Sequence, residues 1–113
     1  MTNQEIITLW FEALSAERGT AASTLRTYRD DVECYLTWLG EKPLADVSKA
    51  DMRAYLAHLD DRALAHSTIS RRRSVANGIH RFMLAEEMAT TNPASDLQKM
   101  KRPERLPFAP SMG

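Results

Sequence analysis

Residues 67–84 read STISRRRSVANGIHRFML. The stretch opens on hydroxyls, carries three arginines in a row, and ends apolar. Stepping about 100° per residue from Ile69, the residues Val75, Ala76, Ile79, Phe82, Met83 and Leu84 fall with it in one broad sector. Ser70, Ser74, Asn77 and Arg81 lie opposite, with Arg71 flanking them. Arg72 falls inside the apolar sector and Arg73 at its edge. This is the period of an amphipathic helix, with Ser67 as its expected cap. Gly78 in mid-helix costs about 1 kcal/mol against alanine, which points to close packing or a bend there.

The text upstream has the same period. Residues 2–16 form an expected first helix, opened by the Thr2-x-x-Glu5 capping box and carrying Ile6, Ile7, Trp10, Phe11 and Leu14 on one face. Gly19 suits the left-handed position that ends it. Residues 21–39 are a second helix, with Thr20 as candidate cap and Leu25, Tyr28, Val32, Tyr35, Leu36 and Leu39 as its stripe. Gly40 ends that helix, and Glu41, Lys42 and Pro43 connect it to a third. Ser48-x-x-Asp51 opens the third helix, and Met52, Tyr55, Leu56 and Leu59 form its core face. The pair Asp60-Asp61 opposes the dipole at its C-terminal end, so fraying is expected near Arg62. Asn92-Pro93 marks the next break, and residues 94–100 have room for one or two helical turns. The end, KRPERLPFAPSMG, spaces Pro103, Pro107 and Pro110 through a text without apolar period and reads as an extended linker. The fold class is therefore all-α, with residues 1–100 as one helical domain and 101–113 as a linker.

Bulk numbers agree. The chain has 113 residues, 43% of them hydrophobic and 27% charged, as in an ordinary single domain. No apolar run approaches the roughly 18 residues of a membrane span, and no signal peptide opens the chain. The single cysteine, Cys34, excludes an internal disulfide, fits a reducing cytosol, and has space-filling as its expected role. The formal net charge of zero conceals an asymmetry. Residues 1–65 hold seven Lys/Arg against eleven Asp/Glu, and residues 66–113 hold eight against four. A basic face on one part of the fold is implied, with any anion contact local.

The strongest chemical constellation is Arg71, Arg72 and Arg73 with Ser67, Thr68, Ser70, Asn77 and Arg81. Phosphate contacts use cations, hydroxyls and helix N-termini, and base edges in the major groove suit Arg and Asn. Composition alone favours a solvated helix face for the same residues. Lys99, Lys101, Arg102 and Arg105 form a second basic group, fit either for tracking a backbone or for a charged linker. His58, His66 and His80 lack metal-ligand spacing and read as structural, so neither metal nor cofactor is expected. No nucleophile elbow, P-loop or dinucleotide fingerprint is present. Tyr28, Tyr35 and Tyr55 lie on apolar stripes and read as core. The acidic pairs Asp30-Asp31 and Asp60-Asp61 read as solvated.

Ser23-Thr24-Leu25, Tyr28-Arg29, Asp31-Val32, Tyr35-Leu36 and Trp38-Leu39 together resemble the second helix of the core-binding domain of tyrosine recombinases, the family of Xer-type recombinases and phage and integron integrases. Leu44, Val47, Asp51, Arg53, Tyr55-Leu56 and Leu59 continue the likeness. Ser67-Thr68-Ile69 with Arg71 and Ser74 resembles the family's S-T-I-x-R-x-L-S segment. Asn92-Pro93, Leu97, Lys101-Arg102-Pro103 and Leu106-Pro107 resemble the passage toward the catalytic domain. Each motif is degenerate, but their order and spacing over most of the chain are specific.

The resemblance implies a four- to five-helix SAM-like bundle that forms half of a clamp on a recombination site in double-stranded DNA. Ser23, Thr24, Arg26 and Thr27 from the second helix would lie near DNA. So would Ser67, Thr68, Ser70, Arg71, Asn77 and Arg81 from the fourth, with Arg71 the best contact. Lys99, Lys101, Arg102 and Arg105 would follow the backbone. The first helix would meet further protomers in a tetrameric synapse. The family's catalytic arginines, lysine and nucleophilic tyrosine lie beyond the linker, so this stretch is expected to bind DNA without cleaving it, as a fragment of a cytoplasmic, nucleoid-associated recombinase. No membrane or small-molecule partner is implied. Four positions depart from the pattern: Arg73 stands where leucine is usual, Asn77 replaces a basic residue, Ala63 a glycine, and Ala21 a serine. A helical protein-interaction module and a helix-turn-helix regulator are the alternatives to the recombinase reading.

Overall fold

A computed structural model describes residues 1–94. Four α-helices and one short 3-10 turn make up its regular structure, with no strand among the described residues. The linker and the basic group Lys99, Lys101, Arg102 and Arg105 lie outside them. No helix among the described residues is long and apolar enough to cross a membrane.

Helix α1 spans Asn3–Arg18 and begins on the expected capping box: Thr2 Oγ1 accepts from the Glu5 amide and Glu5 accepts from the Thr2 amide. Gly19 ends it in the left-handed conformation at φ 61°. Helix α3, Lys49–Asp61, opens on the same device built from Ser48 and Asp51. Lys42 reaches the Asp51 carboxylate at 2.8 Å, and that bond heads the causes that hold Asp51 below the usual carboxylate range.

Helices α2, Ala22–Leu39, and α4, His66–Ala85, begin differently. Their caps are Ala21 and Ala65, and neither offers a side-chain acceptor. The expected caps Thr20 and Ser67 are therefore corrected: Thr20 precedes the cap of α2, and Ser67 lies inside the first turn of α4. The entry to α4 is set by Ala63, which takes φ 56° in the turn after α3. A left-handed alanine costs roughly 1–2 kcal/mol, which accounts for the glycine usual at this place in the resemblance.

The bundle closes around α4, which packs most extensively on α2 and also meets α1 and α3. Tyr35, Tyr55, Met52, Leu59, Ile79 and Met83 are wholly buried between them. Each large apolar side chain in such a site contributes roughly 1.5–3 kcal/mol of transfer free energy. The rings of Tyr35 and Tyr55 lie 4.7 Å apart, and Trp38 lies 5.2 Å from Tyr55. On the α1 side, a Cβ at Gly78 would stand 3.3 Å from Cζ2 of the buried Trp10 ring, so this glycine marks close packing. The 3-10 turn, Leu44–Asp46, buries Leu44 and is clipped to α1 by Asn3, which accepts from the Leu44 amide and donates to the Lys42 carbonyl.

Two expectations about side chains fail. Leu84 is 42% exposed, because the apolar sector of α4 is narrower than its hydrophobic residues suggest. Asp31 is not solvated: it is buried in the interface of α2 with α4. Arg73 is half-buried, and its Nε is enclosed without a hydrogen-bond partner among the described residues. An orphaned donor of this kind costs about 1–3 kcal/mol. Arg73→Leu, which also restores the residue usual in the resemblance, is expected to raise the unfolding free energy by about 1 kcal/mol in urea denaturation.

Candidate nucleic-acid interface

The outer face of α4 is polar because its core face is fully used. Val75, Ala76, Ile79, His80 and Met83 point inward, which leaves Ser67, Ser74 and Arg81 exposed and Ser70 and Asn77 half-buried on the other side. None of these five outer side chains forms a hydrogen bond or ion pair among the described residues. Thr68 is half-buried nearer the core. On α2, Ser23 and Arg26 are exposed, while Thr24 and Thr27 are half-buried. Thr27 Oγ1 donates to the Ser23 carbonyl at 3.2 Å, one turn back, so its hydroxyl is already engaged.

Arg71 is where the two helices meet. Its Nε donates to Asp31 Oδ2 at 2.7 Å and its Nη2 to Asp31 Oδ1 at 3.0 Å. Arg72 adds a third bond, Nε to Oδ1 at 3.3 Å, and its Nη1 reaches Cys34 Sγ at 3.4 Å. Two guanidinium groups thus face one buried carboxylate, and the exposed Asp30 next to it adds a second negative charge near Arg71. The Asp31 bond raises the already high pKa of Arg71. Arg71 keeps 35% of its side chain open to solvent and Arg72 17%. The sequence reading of Arg72 as lying partly along the core holds. Cys34 does more than fill space, since it also accepts from the Tyr55 hydroxyl at 3.7 Å.

The far end of the α4 face has different surroundings. Ser74, Asn77 and Arg81 line a groove of about 550 Å³ against Arg18 and Glu17 of α1, with Tyr28 of α2 at its wall. Arg18 and Arg81 thus border the same groove from different helices. The signal for this lay in Gly78, whose missing side chain lets Trp10 and the rest of α1 approach.

His80, on the inner face of α4, holds Tyr35 Oη at 2.7 Å through its Nε2. Burial lowers its pKa to about 4. Its role is structural, as the sequence suggests. The hydroxyls of Tyr35 and Tyr55 are both engaged inside the bundle. No cluster of metal-binding side chains occurs among the described residues.

The model of the phage integrase N-terminal SAM-like domain matches residues 7–87. The chain belongs to this family. Among curated proteins, this SAM-like domain is similar to tyrosine recombinase XerD of Rhizobium meliloti, with 36% identity over 100 residues, 87% of this chain and 32% of that protein. It is also similar to tyrosine recombinase XerC of Pediococcus pentosaceus, with 32% identity over 107 residues, 91% of this chain and 36% of that protein. A third relative, tyrosine recombinase XerD of Bradyrhizobium diazoefficiens, shares 35% over 101 residues, covering 88% and 32% of the two chains. The SAM-like domain chain thus spans about a third of the length of these relatives. No solved structure matches it.

Proposed function

We propose that the chain is the DNA-binding half of a tyrosine recombinase clamp, which grips one face of a duplex recombination site through α2 and α4. The observation that carries this reading is the uncommitted outer face of α4. Ser67, Ser70, Ser74, Asn77 and Arg81 offer hydroxyl, amide and guanidinium groups that the fold does not use. Hydroxyls and guanidinium groups suit phosphate oxygens, and Asn and Arg suit base edges. Ser23, Thr24 and Arg26 extend the surface onto α2, and Thr27 adds a methyl group more than a free hydroxyl. The uncapped first turns of α2 and α4 leave backbone amides beside these side chains, in helices without an acid in the first turn.

Strand cleavage belongs to another part of the protein in this reading; the hydroxyls of Tyr35 and Tyr55 are engaged inside the bundle. Lys99, Lys101, Arg102 and Arg105 continue the contact along the backbone toward the catalytic half. Further protomers assemble on the DNA to form the synapse.

A half clamp binds weakly. With a duplex, this chain is expected to show a Kd of about 10⁻⁴–10⁻⁶ M near physiological salt. The affinity should fall steeply as salt rises from about 50 to 200 mM, because phosphate contacts release counterions. Fluorescence anisotropy measures this directly, and an affinity that stays flat with salt excludes phosphate contacts.

A further inference from the structure

We propose that Asp31 is a positioning residue for DNA contact: it orients the Arg71 guanidinium so that its second edge is presented to a phosphate. The proposal rests on the DNA-binding reading and names the group inside the protein on which that contact depends.

The geometry is that of a two-edged fork. A guanidinium has two edges suited to bidentate pairing, Nε with Nη2 and Nη1 with Nη2. Asp31 takes the first edge with bonds of 2.7 and 3.0 Å. Nη1 has no partner among the described residues, and a third of the side chain is open to solvent. Asp31 itself has no exposed side-chain surface, so the carboxylate is an anchor set in the bundle. Arg72, turned inward onto the same carboxylate and Cys34, supplies the second cation. The two arginines balance Asp31 and the exposed Asp30 beside it, so the free edge of Arg71 offers directed N–H donors to an anion more than net charge. Helical spacing puts Ser67 one turn before Arg71 and Ser74 one turn after it, so Arg71 shares the stripe of α4 that carries these two hydroxyls. An arginine without this clamp samples many rotamers and loses that freedom on binding; a clamped one has already lost it.

Electrostatics alone gives the opposite expectation, which makes the test decisive in sign. Removing a carboxylate near a phosphate surface should tighten DNA binding. Removing a positioning group should weaken it. The chain, Asp31→Asn, Arg71→Lys and the double variant are titrated with one mixed-sequence duplex at fixed low salt, with folding checked by circular dichroism. Asp31→Asn keeps the size of the side chain and abolishes the bidentate clamp. Arg71→Lys keeps the charge and abolishes the fork. Each is expected to weaken binding about tenfold, and the double variant no further, because both remove one interaction. Wild-type affinity in either folded variant, or tighter binding by Asp31→Asn, overturns the proposal. Should Asp31→Asn not fold, Arg71→Lys still tests the fork on which the proposal depends: wild-type affinity in it overturns the proposal, and the Asp31–Arg72 pair stays intact in it. Absence of salt-dependent binding by the unaltered chain refutes the DNA reading itself and this proposal with it, an outcome distinct from loss of the positioning effect.

Discussion

Replacing both Arg71 and Arg72 by methionine is expected to lower the unfolding free energy by about 3–5 kcal/mol, the cost of leaving a buried carboxylate without a cation. Small domains have only about 5–15 kcal/mol to lose, so the double variant should melt far below the parent. The reason is specific to Asp31. Three N–H groups from the two arginines surround its oxygens, and its side chain has no exposed surface. Adding Asp31→Leu to the same double variant should recover most of the loss, because an apolar trio of similar size is often as stable as a buried ion network. Urea denaturation of the double and triple variants makes the comparison. If the double variant keeps parental stability, Asp31 is not held as the bond lengths indicate. Arg71→Ala alone is expected to leave the domain folded, since Arg72 still faces the carboxylate.

The second large effect is acid sensitivity through His80. Its pKa is about 4 in the folded protein against 6.5 for the free side chain, with burial as the cause. A depressed pKa means that the unfolded chain binds a proton that the folded one does not. The contribution to stability is complete above about pH 6.5 and declines as pH falls toward 4, where about 3 kcal/mol is gone. The structural reason is visible in the core: an imidazolium would sit in a closed site beside the Tyr35 hydroxyl and the buried face of α4. His80→Phe should be weaker at neutral pH, because Tyr35 loses its partner, but should lack this part of the acid response. Denaturation at pH 7 and pH 4 tests it through the difference between the two proteins, in which the carboxylates common to both cancel. Equal acid responses would mean that His80 is protonated in the folded state.

Much of the fold was legible because local chemistry states it. The two capping boxes, Gly19 and the apolar stripes of the helices follow from spacing, and the structure places them as read except at Leu84. Gly78 was legible as a site of close packing, though its partner Trp10, on another helix, was not. The caps of α2 and α4 misled because Thr20 and Ser67 are good cap residues next to alanines that occupy the position. The start of α4 is set by the turn at Ala63, which a cap preference does not report.

The candidate interface was legible as a polar face, and less so in its internal wiring. Asp31 stands three residues after Tyr28 and four before Tyr35, within reach of the apolar stripe, yet a carboxylate there reads as surface. Its partners lie 40 and 41 residues away, beyond what spacing reveals. Arg71 was read as flanking the polar face and as the best DNA contact, without the buried partner that the structure shows in Asp31. Asn3 was missed for the same reason, as its contacts are tertiary.

The most direct test of the central claim is a map of backbone amide resonances during titration with duplex DNA. If α2 and α4 grip the duplex, shifts should concentrate in the first turns of α2, at Ser23–Thr27, and along α4 from Ser67 to Arg81. Helix α3, Lys49–Asp61, should be nearly silent. Shifts centred on α3, or a spectrum unchanged by DNA, would contradict the account.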